Sequence, residues 1–179
     1  MPLPLIPIAV GAFFGAIWSA KEGPTVGASM EVTYPTDDSE ATRAAIENLA
    51  NAQARNNADW MERTKTYAGK EIPCCVGCAG IGYIPPTKCE GNAFCQPIRS
   101  ALAILNTGQG TCIDLACYDA AAKIWKGKDA EVKIVHEQDS TGAAIPFQYH
   151  AVVVSGGKVE DPTAEILAKA PGCNSCAKR

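Results

Sequence analysis

Residues 108–125 read GQGTCIDLACYDAAAKIW, a glycine-rich turn followed at once by a cysteine and a helical pattern. The spacing predicts a helix from Cys112 to Trp125, stopped at Gly127. A thiol at that start faces the positive end of the helix dipole and backbone N–H groups without intrahelical partners. Both favour thiolate, the form that attacks a carbonyl carbon. The same N–H groups can hold the oxyanion that forms on attack. Ile113, Leu115, Ala116, Ala120 and Ile124 are expected to anchor the helix. Asp114 suits its first turn as a structural acid, and Cys117 is expected in the core.

A nucleophilic thiol needs a base, and the chain has two histidines. His136 sits beside Glu137 and reads as solvated. His150 opens the apolar run of QYHAVVVSGGKVEDPT. Strands are expected over 131–136, 147–155 and 158–161, with Ser155-Gly156-Gly157-Lys158 as the hairpin turn between the last two. That turn can set His150 and Asp161 side by side on adjacent strands. A carboxylate on the second ring nitrogen fixes the tautomer and supports imidazolium.

Gly110, Cys112, Asp114 and Ala116, then His150 with Ala151 to Val154, then Asp161 with Pro162 form a pattern in fixed order. It resembles the transglutaminase-like superfamily, relatives of papain-type proteases, over about residues 96–168. Ile113 and Ala151 stand where many members carry aromatics. The resemblance implies an α+β fold in which the helix bearing the nucleophile packs on a small antiparallel sheet. It implies a thiol protease or acyl transferase with a Cys112–His150–Asp161 triad, acting on a protein or peptide without a catalytic cofactor. It also implies an amide oxyanion donor six residues before the nucleophile, which is Asn106, with Gln109 as a rival.

Nine cysteines fall at 74, 75, 78, 89, 95, 112, 117, 173 and 176, an odd number that cannot close fully into intrachain disulfides. Cys75-Val76-Gly77-Cys78-Ala79-Gly80-Ile81-Gly82 resembles the zinc knuckles of DnaJ-type chaperones. With the second CxxC, Cys173 and Cys176, it supplies four thiolates, a set suited to structural zinc. Disulfides are the alternative, above all for Cys89 with Cys95. Cys74 has no assigned role.

Residues 1–21 include an uncharged run, MPLPLIPIAVGAFFGAIWSA, long enough for a membrane-type helix from Ile6 to Lys21. A signal peptide lacks its positive n-region here, and a partner-docked helix is the other alternative. Gly11 and Gly15 form a small-xxx-small pair compatible with a homo-oligomer. Residues 22–70 read as a linker and a long helical stalk starting at Ser39, with packing of that helix on the domain as the alternative, and 71–179 as the catalytic domain. Within that domain, 73–95 reads as loop and 96–105 as helix. Net charge is −3 with no basic run, which argues against nucleic acid as a partner. The expected protein is a membrane-anchored cysteine hydrolase. The alternative is a membrane or virion structural protein that keeps the fold without turnover.

Overall fold

The computed structural model describes residues 28–35, 39–86, 93–138, 141 and 144–168. β1 (Met30–Pro35) leads to α1 (Glu40–Thr64), the β2–β3 hairpin (Thr66–Tyr67 and Lys70–Glu71), the single turn α2 (Val76–Ala79) and β4 (Gly82–Tyr83). β5 (Ala93–Ile98) pairs antiparallel with β1. α3 (Ala101–Thr107), β6 (Gln109–Gly110) and α4 (Cys112–Trp125) follow. β7 (Ala130–Gln138), β8 (Ala144–Ser155) and β9 (Lys158–Glu160) form an antiparallel sheet in that order, and α5 (Pro162–Leu167) comes next. The architecture is α+β.

α4 lies at the centre. Every residue from Cys112 to Ala122 is buried. A helix buried all round needs neighbours on all sides. α1 supplies one of them: Ile46, Ala50 and Ala54, at helical spacing, share a cluster with Ile113, Ala116, Cys117 and Ala120. Small side chains let the two helices meet closely, and the Cys117 thiol donates to the Ala50 carbonyl at 3.3 Å. The sheet adds Val132, Ile134, Ala151 and Val153 to the same cluster. A second cluster joins Leu115, Tyr118 and Ala121 of α4 to Met61, Ile72, Val76 and Ile104.

Of the two readings of the helix after Ser39, this packing favours docking on the domain over a free stalk. α1 is a wall of the same core that holds Cys112, and β1 lies within the expected linker. The helix expected over 96–105 is also corrected. Its first residues continue strand β5, because Pro97 disfavours helical backbone at Gln96. The helix begins only behind Ser100, whose Oγ accepts the Ala103 N–H at 3.2 Å.

The exposed edge of β7 is covered by side chains of α1. Asn51 Nδ2 donates to the Val132 carbonyl at 2.9 Å, and Asn51 Oδ1 accepts the Val132 N–H at 2.8 Å. Glu47 accepts the Ile134 N–H at 3.1 Å and pairs with Lys133 at 2.9 Å. Such coverage blocks edge-to-edge strand addition. At the other side, Gly156 and Gly157 turn β8 into β9 with φ of 56° and 74°, the left-handed pair a two-residue hairpin requires. The uncharged run at 1–21 lies outside the described residues. Among the described residues no helix is long and apolar enough to cross a membrane.

Candidate active site and cysteine cluster

β9 pairs only with Val153 to Ser155 of β8. The chain then turns at Asp161, which caps α5 with Pro162 behind it at the first helical position. Asp161 Oδ1 accepts the Thr163 and Ala164 N–H groups, both at 3.0 Å. Its Oδ2 lies 2.9 Å from His150 Nε2. One carboxylate thus caps a helix and holds an imidazole. The contact takes up Nε2 and leaves Nδ1 as the ring nitrogen not engaged by Asp161. The pair is part-buried, with side-chain exposures of 22 % for His150 and 36 % for Asp161.

Cys112 is a free thiol at the first position of α4, 7 % exposed. Burial pushes its pKa up to about 11. The backbone N–H groups of Ala151 and Ile113 pull the other way, and the Asp114 and Asp161 carboxylates add to the upward push. Ala151 directly follows His150 in β8. Desolvation opposes the thiolate expected from the helix N-terminus and outweighs the backbone donors.

This has a consequence for stability. A cysteine raised from 9.0 to about 11 contributes stability that is fully present below pH 9 and lost between pH 9 and 11. Cys117, also raised by burial, acts in the same direction. Denaturant titrations should therefore show unfolding free energy falling with pH above 9, and falling less steeply in Cys112→Ala. Parallel curves for the two proteins would contradict the burial of this thiol.

The turn before the thiol is fixed by Asp114, whose side chain is fully buried. Its Oδ1 accepts the Arg99 N–H at 2.7 Å and its Oδ2 the Thr111 N–H at 3.0 Å. The Arg99 guanidinium stands 3.6 Å from Oδ2. Burial nevertheless raises the carboxyl pKa above the ordinary value, with the Arg99 and Thr111 donors opposing. Close packing leaves no room at Gly110, where an added Cβ would meet Asp114 Cβ at 3.0 Å. At the far end of α4, Lys123 bridges Asp119 and Glu160, the latter at 3.1 Å. Glu160 precedes Asp161, so this bridge ties the end of β9 to α4.

Asn106, the expected oxyanion donor, engages Tyr67. It is exposed in the last turn of α3, where its Oδ1 accepts the Tyr67 hydroxyl at 2.8 Å. Gln109, its rival, is exposed in β6. His136, expected to be solvated, is half-buried with its ring 5.4 Å from that of Tyr149.

The first CxxC forms a tight cluster with a cysteine to which the sequence assigns no role. The sulfurs of Cys74, Cys75 and Cys78 lie within 4.8 Å of one another, a group able to hold a metal ion. Cys75 caps α2 and its Sγ accepts the Cys78 N–H at 3.4 Å. Cys74 and Cys78 are disulfide-bonded in this structure. Cys173, Cys176 and Cys89 lie outside the described residues.

The chain matches no family model, no curated protein and no solved structure. The likeness to the transglutaminase-like superfamily rests on the motif residues alone. Two features of the site escape the motif reading. The capping role of Asp161 is signalled by the Asp-Pro pair itself, an N-cap followed by proline at N1. The Lys123 bridge to Glu160 has no local signal, because its partners come together only when β9 returns to α4.

Proposed function

We propose that this chain is a cysteine-dependent amide hydrolase, or an acyl transferase, that works through a thioester on Cys112. The observation that carries the reading is the 2.9 Å contact of His150 Nε2 with Asp161, on the residue next to the Ala151 N–H that serves the Cys112 thiol. Asp161 holds Nε2 protonated, so Nδ1 is the basic nitrogen. His150 takes the Cys112 proton as Sγ attacks the carbonyl carbon. The N–H groups of Cys112 and Ile113, in the first turn of α4, receive the oxyanion in place of Asn106. The leaving amine takes the proton back from His150, and water then hydrolyses the thioester. Water is the default acceptor, which favours peptidase over crosslinking.

The raised thiol pKa fits proton transfer during attack better than a standing ion pair. The same burial favours a second reading, a membrane or virion structural protein that keeps the site without turnover. An activated ester such as p-nitrophenyl acetate separates the two. The hydrolase reading expects a burst and one acetyl group on Cys112 by mass spectrometry, absent in His150→Ala. Unmodified Cys112 under those conditions would favour the structural protein.

In the reduced chain a structural zinc would suit Cys74, Cys75 and Cys78 as thiolates, with Cys173 and Cys176 as candidates for completing the set. It would staple the loop before β4 and leave no open position for substrate. The run at 1–21 would tether the domain to a membrane.

A further inference from the structure

We propose that Cys74, Cys75 and Cys78 form a redox-gated site for one soft, thiolate-seeking cation, closed while Cys74 and Cys78 are disulfide-bonded and opened by a dithiol reductant. The proposal is independent of the hydrolase reading. It replaces the symmetric pairing of two CxxC motifs with a site organised by one segment, CCVGC.

Three sulfurs converge here. They lie within 4.8 Å of one another, and Cys75 Sγ lies 2.7 Å from Cys78 Sγ. The backbone holds them in place. Cys75 is the N-cap of α2, Gly80 ends that turn with φ of 64°, and Val76 between them is fully buried. The Tyr118 hydroxyl of α4 donates to the Pro73 carbonyl at 2.8 Å, so the segment is fastened to the central helix immediately before Cys74. All three cysteines are part-buried, which leaves them within reach of a small reductant.

The disulfide and the metal compete for the same sulfurs. A sulfur in a disulfide has no thiolate to offer, so the oxidised cluster lacks at least two of its three ligands. A dithiol delivers two electrons and two protons to each disulfide it reduces. The protein S–S bond breaks, and the dithiol closes into its own disulfide. Each new thiol then loses its proton to solvent as the metal binds. Three thiolates without a carboxylate select zinc(II) or copper(I) over magnesium or calcium. The site would thus report the local thiol–disulfide balance as presence or absence of metal, at a point tied by Tyr118 to the helix that carries Cys112.

Zinc(II) is the probe, with the full chain in two forms: as oxidised, and reduced with dithiothreitol then desalted without oxygen. Competition against a chromophoric chelator reads affinity. The reduced chain should bind one zinc, and the oxidised chain should bind it at least about 100-fold more weakly. Cys74→Ser and Cys74→Ala should each weaken zinc binding by the reduced chain at least about tenfold. Equal affinity in the two redox forms would overturn the gate, as would no binding by the reduced chain. Unchanged affinity in both Cys74 variants, with loss in Cys173→Ser, would overturn the ligand set in favour of the two-knuckle site.

Discussion

Cys112→Ala should lower turnover of an amide or ester substrate by about 10⁶-fold, the usual loss when the nucleophile of a triad is removed. The fold should survive, because alanine keeps most of the apolar contact that Cys112 makes with its cluster. Asp161→Asn should cost about 10⁴-fold, through the wrong histidine tautomer. The two roles of Asp161 make this series informative. Asparagine is as good an N-cap as aspartate, so Asp161→Asn should leave the melting temperature of α5 and its surroundings nearly unchanged. Asp161→Ala should lose the cap as well and cost about 1 kcal/mol more in stability, with a similar loss in rate. Rates and melting curves on the same preparations check both parts. Wild-type turnover in Cys112→Ala would remove the nucleophile assignment, and an Asp161→Asn defect confined to stability would reduce Asp161 to a cap.

The largest stability loss should come from Asp114→Ala. The substitution strands the part-buried Arg99 N–H and the buried Thr111 N–H, and leaves the partly exposed Arg99 guanidinium without its carboxylate. Each stranded group costs about 1–3 kcal/mol. Asp114→Asn should cost less, since its amide oxygen still accepts one of the two N–H groups. The pH dependence gives a second check. Burial raises this carboxyl above its ordinary value of 3.8, so ionisation is harder in the folded chain. Its favourable share of stability is therefore present below pH 3.8 and is lost as pH rises through the raised folded value. Chemical unfolding across the acid range should show this loss in the wild type and a flatter curve in Asp114→Asn. A wild-type stability that rises through that window while Asp114→Asn stays flat would contradict the direction of the shift.

The parts of the fold set by local signals were legible. The α4 boundaries follow from the turn before Cys112, the apolar pattern and Gly127. The short β8–β9 turn returns the chain toward His150, but the strand pairing ends at Glu160 and Asp161 makes its contact from the N-cap of α5. The place of α1 was not legible. Its alanines give a thin apolar stripe when read alone, yet α4 is alanine-rich too, and small side chains on both helices bury backbone against backbone. Gly108, at φ of 64°, ends α3 between Asn106 and Cys112, so the six-residue offset crosses a helix end and a turn and does not by itself place that amide. The raised pKa of Cys112 was hidden because helix position is local and burial is not. Cys74 carries no spacing signal of its own, because it lies outside the CxxC of Cys75 and Cys78.

The central claim is that His150 acts on Cys112. Iodoacetamide alkylation followed residue by residue with pH, in wild type and His150→Ala, tests it most directly. Wild-type Cys112 should be modified at neutral pH well ahead of buried Cys117, and its rate should fall by orders of magnitude in His150→Ala. A Cys112 rate that climbs only with hydroxide toward pH 11, and is the same in both proteins, would contradict it.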